Sequence, residues 1–346
     1  SGTFALGNFD FTIRSADTLT ARVSKLGATS AFTYGTGRFI VERFIRQGRK
    51  WRFLSVPTNT TQSINAAWQE GALTAASDPV PGYGTHITSS TTPLPQYYDS
   101  YSPGGPSIKI WNPGTQNYIS MPNTTMNIAT DKGYMTFVRG NRLSVPSNSL
   151  LTSTRLRTKG QLFTGNKTIS STGLLSNQFM SAGNPYASAI DMRQISRTNV
   201  SAMYYIWDPM LANSVNGGIF GLGAYQLFTL NTGTGNYEVF PGGGSYGAAN
   251  SVDNKIESGA AFFVKASANG TGTLGFTENS KTDNSRSVFR HFNAQQRLMA
   301  ILEKPDVSAG NYFIADGVML HFSSAYSNKV DAEDANKLPN TGENIA

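Results

Sequence analysis

The sequence contains no cysteine, which excludes disulfide frameworks, thiolate zinc sites, iron-sulfur clusters and cysteine nucleophiles. It has only three histidines, His86, His291 and His321, far apart and without an H-x-x-x-H spacing. A histidine zinc site has no support, and the three read as isolated, partly exposed residues. Charged residues are 14% of the chain against about 25% in an average soluble protein. Apolar residues at 39% with 35 glycines are still an ordinary globular total, so general disorder is excluded. No run approaches the roughly 18 consecutive apolar residues of a membrane span, and direct membrane insertion is not expected. Residues Ser1 to Asp10 lack the basic start and long apolar core of a signal peptide, and the last residues lack a lipidation signal. The chain reads as a mature protein or a fragment of a larger one. Its net charge of +7 permits attraction to anionic polymers without demanding it.

What is present is mostly a period of two. In Phe9-Asp10-Phe11-Thr12-Ile13 and in Trp51-Arg52-Phe53-Leu54-Ser55-Val56 alternate side chains are large and apolar, the pattern of a half-buried strand. Similar runs are Arg38 to Ile45, Ser107 to Trp111, Tyr134 to Val138, Met203 to Trp207, Ala224 to Leu230, Tyr237 to Phe240, Ala260 to Val264, Gly272 to Phe276 and Gly317 to Phe322. Gln47-Gly48-Arg49-Lys50 is expected to form a hairpin turn. Many short strands separated by glycine and proline predict an all-β fold of antiparallel sandwiches, immunoglobulin-like or jelly-roll-like, and argue against alternating β and α units. One or two short helices are expected, the best over Thr60 to Leu73, where Ile64 and Trp68 stand one turn apart and Gly71 supplies a stop.

At 346 residues the chain exceeds a typical domain of about 100 to 200, and it repeats itself weakly. Trp51-Arg52-Phe53-Leu54-Ser55-Val56-Pro57 has a counterpart in Gln178 to Pro185, Ile108-Lys109-Ile110-Trp111-Asn112-Pro113 in Met203 to Pro209, and Lys132 to Arg139 in Ser258 to Lys265. The order is the same in both halves. The expectation is two related β-sandwich modules in tandem, residues 1–145 and 146–346, joined near Pro146 as a short-linked rod. Residues 1–47 can also be read as the end of a preceding β module. Trp111 and Trp207 should hold equivalent positions, each ring buried against an inner sheet face.

The series Gly183-Asn184-Pro185-Tyr186, Tyr205-Ile206-Trp207-Asp208-Pro209 and Ile256-Glu257-Ser258-Gly259-Ala260-Ala261-Phe262-Phe263, continued by Phe289-Arg290-His291-Phe292 and Asp331 to Leu338, resembles modules in the C-terminal region of large secreted surface proteins of Bacteroidota. Arg49 to Pro57, Ala67-Trp68-Gln69-Glu70-Gly71 and Gly82-Tyr83-Gly84-Thr85-His86-Ile87-Thr88 match the module that commonly precedes it. The resemblance implies an extracellular or cell-surface location and export by the type IX secretion machinery. It implies an adhesin-like role, and no catalytic residues belong to the pattern.

Pro241-Gly242-Gly243-Gly244-Ser245-Tyr246-Gly247 satisfies both a dinucleotide-binding G-x-G-x-x-G and a hydrolase G-x-S-x-G. Both require a helix next, and Ala248 to Asn254 has no amphipathic period, so Ser245 is expected to be no nucleophile. A triad with Asp253 and His291 would place its acid only a few residues from the serine. Arg38, Arg43, Arg46, Arg49, Lys50 and Arg52 alternate with Phe39, Phe44, Trp51 and Phe53. That mixture suits single-stranded nucleic acid, but a hairpin with one solvated face explains it, and no nucleic-acid partner is expected. Asp331, Glu333 and Asp334, near Asp316, offer oxygen ligands for a structural calcium, the one cofactor considered. Tyr97, Tyr98 and Tyr101 in a Pro/Gly-rich loop offer faces for stacking on surface glycans.

These readings converge on a non-catalytic structural or adhesive segment, possessing as partners other modules of its own chain or copies of itself and able to build a fibre or stalk. The alternatives are a carbohydrate-binding module and a hydrolase.

Overall fold

Four successive residues, Ala261-Phe262-Phe263-Val264, are apolar and fully buried, so the strand that carries them has a covered surface on each side. The computed structural model describes residues 2–17, 19–89, 94–101, 105–145, 147–148, 150–211, 220–221, 223–283, 297–306 and 311–321. The fold is all-β and sandwich-like.

A first outer sheet has the order β2 (Phe11–Ile13), β4 (Phe39–Ile45), β12 (Thr154–Leu162), β6 (Thr58–Asn59). A first inner sheet runs β10 (Asn117–Ser120), β9 (Ile108–Asn112), β11 (Tyr134–Val138), β5 (Arg49–Leu54), with β18 (Phe220–Gly221) beyond β5. The second inner sheet runs β20 (Asn236–Phe240), β19 (Ala224–Asn231), β17 (Val200–Asp208), β22 (Ala261–Ala266), β14 (Phe179–Gly183). The second outer sheet is β13 (Lys167–Leu174), β23 (Gly270–Phe276), β16 (Ser196–Thr198). Smaller pairings are β21 (Lys255–Ile256) and β24 (Lys281–Thr282) on either side of β15 (Ala189–Asp191), β1 (Thr3–Ala5) with β3 (Ala31–Thr33), β7 (Thr88–Ser89) with β8 (Asp99–Ser100), and β25 (Arg297–Asp306) with β26 (Asn311–His321).

Three cores separate these four layers. Ile45, Leu54, Ile108, Tyr134, Val138 and Leu156 fill the space between the first outer and inner sheets, with Ile64 and Trp68 closing one end. Met180, Tyr204, Ile206, Phe262, Val264 and Leu274 fill the space between the second inner and outer sheets. The third core lies between the two inner sheets and draws on both halves: Phe53, Trp111, Tyr118 and Met135 against Tyr205, Leu227, Ala261 and Phe263. Alternation along each inner strand decides the assignment. Tyr204 and Ile206 of β17 point to the second core and Tyr205 to the third, while Leu54 of β5 points to the first and Phe53 to the third. The halves are therefore stacked face to face, which corrects the expectation of a short-linked rod. β12, which follows the break at Pro146, pairs along its length with β4.

The internal repeat is present in the topology. The order β10-β9-β11-β5 in one inner sheet matches β19-β17-β22-β14 in the other, and every pairing in both series is antiparallel. Trp111 faces Tyr118 across its hairpin as Trp207 faces Tyr225. The third sequence match shifts by two residues: Tyr134 lies opposite Leu54, and it is Phe262, not Ala260, that lies opposite Ala182. A slip of two leaves every side chain on its original face, which is why the sequence pattern tolerated it.

Contacts across the third core are reciprocal, as in an isologous interface between two subunits. Trp111 Nε1 donates to the Phe179 carbonyl at 3.1 Å, and Trp207 Nε1 donates to the carbonyl of Trp51, the counterpart of Phe179, at 2.8 Å. Ser55 N donates to Gly259 O and its counterpart Gly183 N to Asp131 O. The hydroxyls of the equivalent tyrosines Tyr118 and Tyr225 bond to each other. Phe53 and Phe263 stack at 5.0 Å with planes 15° apart. The two tryptophans are thus in equivalent strands as expected. Their rings lie between the two inner sheets; Trp111 is buried as expected, whereas Trp207 is only half-buried.

Two further expectations are corrected. Residues 46–48 do not close a hairpin, because β4 belongs to the outer sheet and β5 to the inner one, and the turn carries the chain between layers. Of the six basic residues of this stretch, Arg43, Arg49, Lys50 and Arg52 are buried, Arg38 is half-buried and Arg46 is exposed, so the expected solvated face is largely covered. Arg43 pairs with Glu257 of the other half, and burial pushes Arg52 down to about 10. The expected helix is the short α1 (Ile64–Trp68), begun by Ser63, whose side chain accepts from Ala66 N.

Candidate functional site

α1 ends in a reversal at Glu70 and Gly71, both at positive φ, and the chain returns through Gly82 and Gly84, also at positive φ, to the strand pair β7 and β8. This return brings His86, Thr88 and Asp99 beside Arg142. Asp99 is buried, and Arg142 grips it with two parallel bonds, Nη2 to Oδ1 at 2.7 Å and Nη1 to Oδ2 at 3.1 Å. Gln69 Nε2 and Ile87 N also donate to Oδ2, each at 2.9 Å. The remaining donors of Arg142 go to the carbonyls of Thr74, Ser77 and Thr85, so one guanidinium fastens the whole loop. Burial alone would raise the Asp99 carboxyl; the contacts with His86 and Arg142 outweigh it and hold the group at about 2. Of these the Arg142 fork dominates, because His86 Nδ1 stands 3.6 Å away, beyond hydrogen-bond length. Asp99 is accordingly a fixed, fully partnered anion, poorly suited to moving protons.

Beside this pair opens a cleft of about 290 Å³. Its floor is His86, Thr88 and Asp99, its rim Ser100, Tyr101 and Ser147, and Ala75, Ala76 and Val145 form an apolar wall. His86 Nε2 lies 2.7 Å from the Arg142 carbonyl, so that nitrogen is the donor. His86 Nδ1 and Thr88 Oγ1 are buried without a hydrogen-bond partner among the described residues. The Arg139 guanidinium lies 5.7 Å from the centre of the Tyr101 ring.

Of the three tyrosines proposed for stacking, only Tyr101 lines the cleft. Tyr97 is exposed, and Tyr98 is buried in the first core with its hydroxyl donating to Met121 O at 2.7 Å, so Tyr98 offers no open ring face. Asp331, Glu333 and Asp334 lie outside the described residues, as do His291 and the side chains of Asp316 and His321. His86 is buried, contrary to its expected partial exposure. Nothing in the local sequence marks Asp99 and Arg142 as partners; Gly82 and Gly84 are the signal of a tight return.

The glycine-rich loop serves a carboxylate of its own chain. Ser245 donates its hydroxyl to Asp208 Oδ1 at 2.8 Å, and Ser245 N donates to Oδ2. A Cβ on Gly244 would stand 2.1 Å from Asp208 Oδ2, so close wrapping requires glycine there. Asp253 accepts from Lys255 N at 2.9 Å. Ser245 should stay unlabelled by a fluorophosphonate probe, and labelling abolished by Ser245→Ala would sink that expectation. No helix among the described residues is long and apolar enough to cross a membrane.

The model of a family described as a domain of unknown function, DUF8693, matches residues 56–304. No curated protein and no solved structure matches the chain.

Proposed function

The chain belongs to the DUF8693 family, and we propose that it is a non-catalytic structural and adhesive module of a secreted or surface-exposed bacterial protein, working outside the cell. The observation that supports this reading is the third core. It joins two related sandwiches through aromatic stacking and reciprocal indole bonds, so that central strands such as β22 are buried on both faces. A block of this kind resists bending between its halves and suits a spacer or a building unit of a fibre. The location in this reading rests on the resemblance to Bacteroidota surface modules and on the type IX export that the resemblance implies. Partners in this reading are neighbouring modules, further copies of the chain, or surface glycans.

Light scattering and electron microscopy of the isolated chain, with and without calcium, combined with a broad hydrolase screen, test the proposal. Self-association or binding to cells or glycans, without turnover, is expected. A monomer that binds no surface or glycan and hydrolyses a polysaccharide or peptide at enzymatic rates would overturn it.

A further inference from the structure

We propose that the cleft over His86 and Thr88 is a binding site for one neutral pyranose ring or a polyol of similar size. This deepens the adhesive reading and rests on it only for where the sugar comes from. Two buried polar atoms lie on the floor of the cleft. His86 and Thr88 are each 1% exposed, and neither His86 Nδ1 nor Thr88 Oγ1 has a hydrogen-bond partner among the described residues. Buried polar groups without partners are rare, and an unmet pair at the base of an open cleft points to an occupant that supplies the missing bonds.

The chemistry of that occupant follows from the lining. Because His86 Nε2 donates to the Arg142 carbonyl, Nδ1 is the ring nitrogen left without a hydrogen bond, and a ligand hydroxyl can partner it. The hydroxyls of Thr88, Ser100 and Ser147 can each donate or accept. A ligand that offers donors and acceptors together on one small frame, as a sugar does, matches both. The Tyr101 ring at the rim gives the apolar face that the C–H side of a pyranose requires.

Charge argues for neutrality. A cation would find the Asp99 oxygens already filled by Arg142, Gln69 and Ile87, and the Asp99–Arg142 pair carries no net charge to hold an anion. The cleft volume of about 290 Å³ falls at the lower end of small-ligand sites, which fits one ring.

The test is an amide-shift titration of the isotopically labelled chain with a panel of neutral methyl pyranosides and inositol, and separately with inorganic phosphate. Saturable shifts at residues 86, 88, 100, 101 and 147 are expected with at least one neutral sugar. Tyr101→Ala should weaken that binding at least tenfold and the near-isosteric Thr88→Val at least fivefold, with melting temperatures held close to the parent. Three results would each overturn the proposal: no saturable shift at these positions with any neutral compound, binding unchanged in both variants, or saturable shifts with phosphate only. Absence of sugar binding would leave the structural reading standing. Cleavage of a bound glycoside would overturn the non-catalytic reading while leaving the cleft as the binding site.

Discussion

Replacing Trp111 by alanine should destabilise the chain by about 3 to 5 kcal/mol, the usual cost of truncating a large core aromatic. Its ring packs edge-on against Phe263 at 4.9 Å and against Tyr118 at 5.3 Å, and its indole N–H bonds to the other half. Trp207→Ala should cost toward the lower end of that range, because Trp207 is only half-buried. Phenylalanine at either position keeps much of the packing and deletes the indole bond, so Trp111→Phe and Trp207→Phe should each lose on the order of 1 kcal/mol from that bond, plus any packing defect. Urea unfolding of the six relevant chains, the four single variants, the double alanine variant and the parent, gives these values. Both rings serve one interface, so the double alanine variant should depart from additivity. A loss below about 1 kcal/mol for Trp111→Ala would remove the third core as a major source of stability.

The second large effect belongs to Asp99 and Arg142. Arg142→Met would leave a buried carboxylate with its strongest partner gone, and breaking a buried pair in this way costs about 3 to 5 kcal/mol. The same pair sets the acid limit. The folded state holds Asp99 at about 2, while the unfolded chain titrates near 3.9, so the unfolded chain takes up the proton first. The contribution of this group is complete above about pH 4 and is lost as pH falls through about 2, a change on the order of 2 kcal/mol. Stability measured across that window should fall in the parent, and the fall should be shallower in Asp99→Asn. An identical acid profile in the two would show that Asp99 is not the group responsible.

How much could be read in advance differs from strand to strand. β5, β9, β11, β17 and β22 announced themselves because their inward residues are large and apolar. β12 did not, although its burial alternates strictly from Thr154 to Leu162. Its inward positions are Thr154, Leu156, Thr158, Gly160 and Leu162, and its outward ones Arg155, Arg157, Lys159 and Gln161. A pattern in which small polar residues face inward carries little hydrophobic contrast, so period two goes unseen. At the candidate site, Gly82, Gly84 and His86 were visible as residues. Their meeting with Asp99 and Arg142 was not, because Arg142 reaches back across 43 residues to Asp99.

Local periodicity and the internal repeat were sufficient to determine that this chain forms β-sheets, that it contains two related sets of strands, and that Trp111 and Trp207 correspond. Those properties follow from short-range alternation, which records that a strand has two faces. Alternation does not record what covers each face. Only the tertiary structure decided that the inner sheets cover one another, which buried Arg49, Lys50 and Arg52 where a solvated face was expected and turned a rod into a block. The cleft above His86 has the same origin: burial of a polar group is set by distant segments that pack over it, and no spacing within seven residues carries that information.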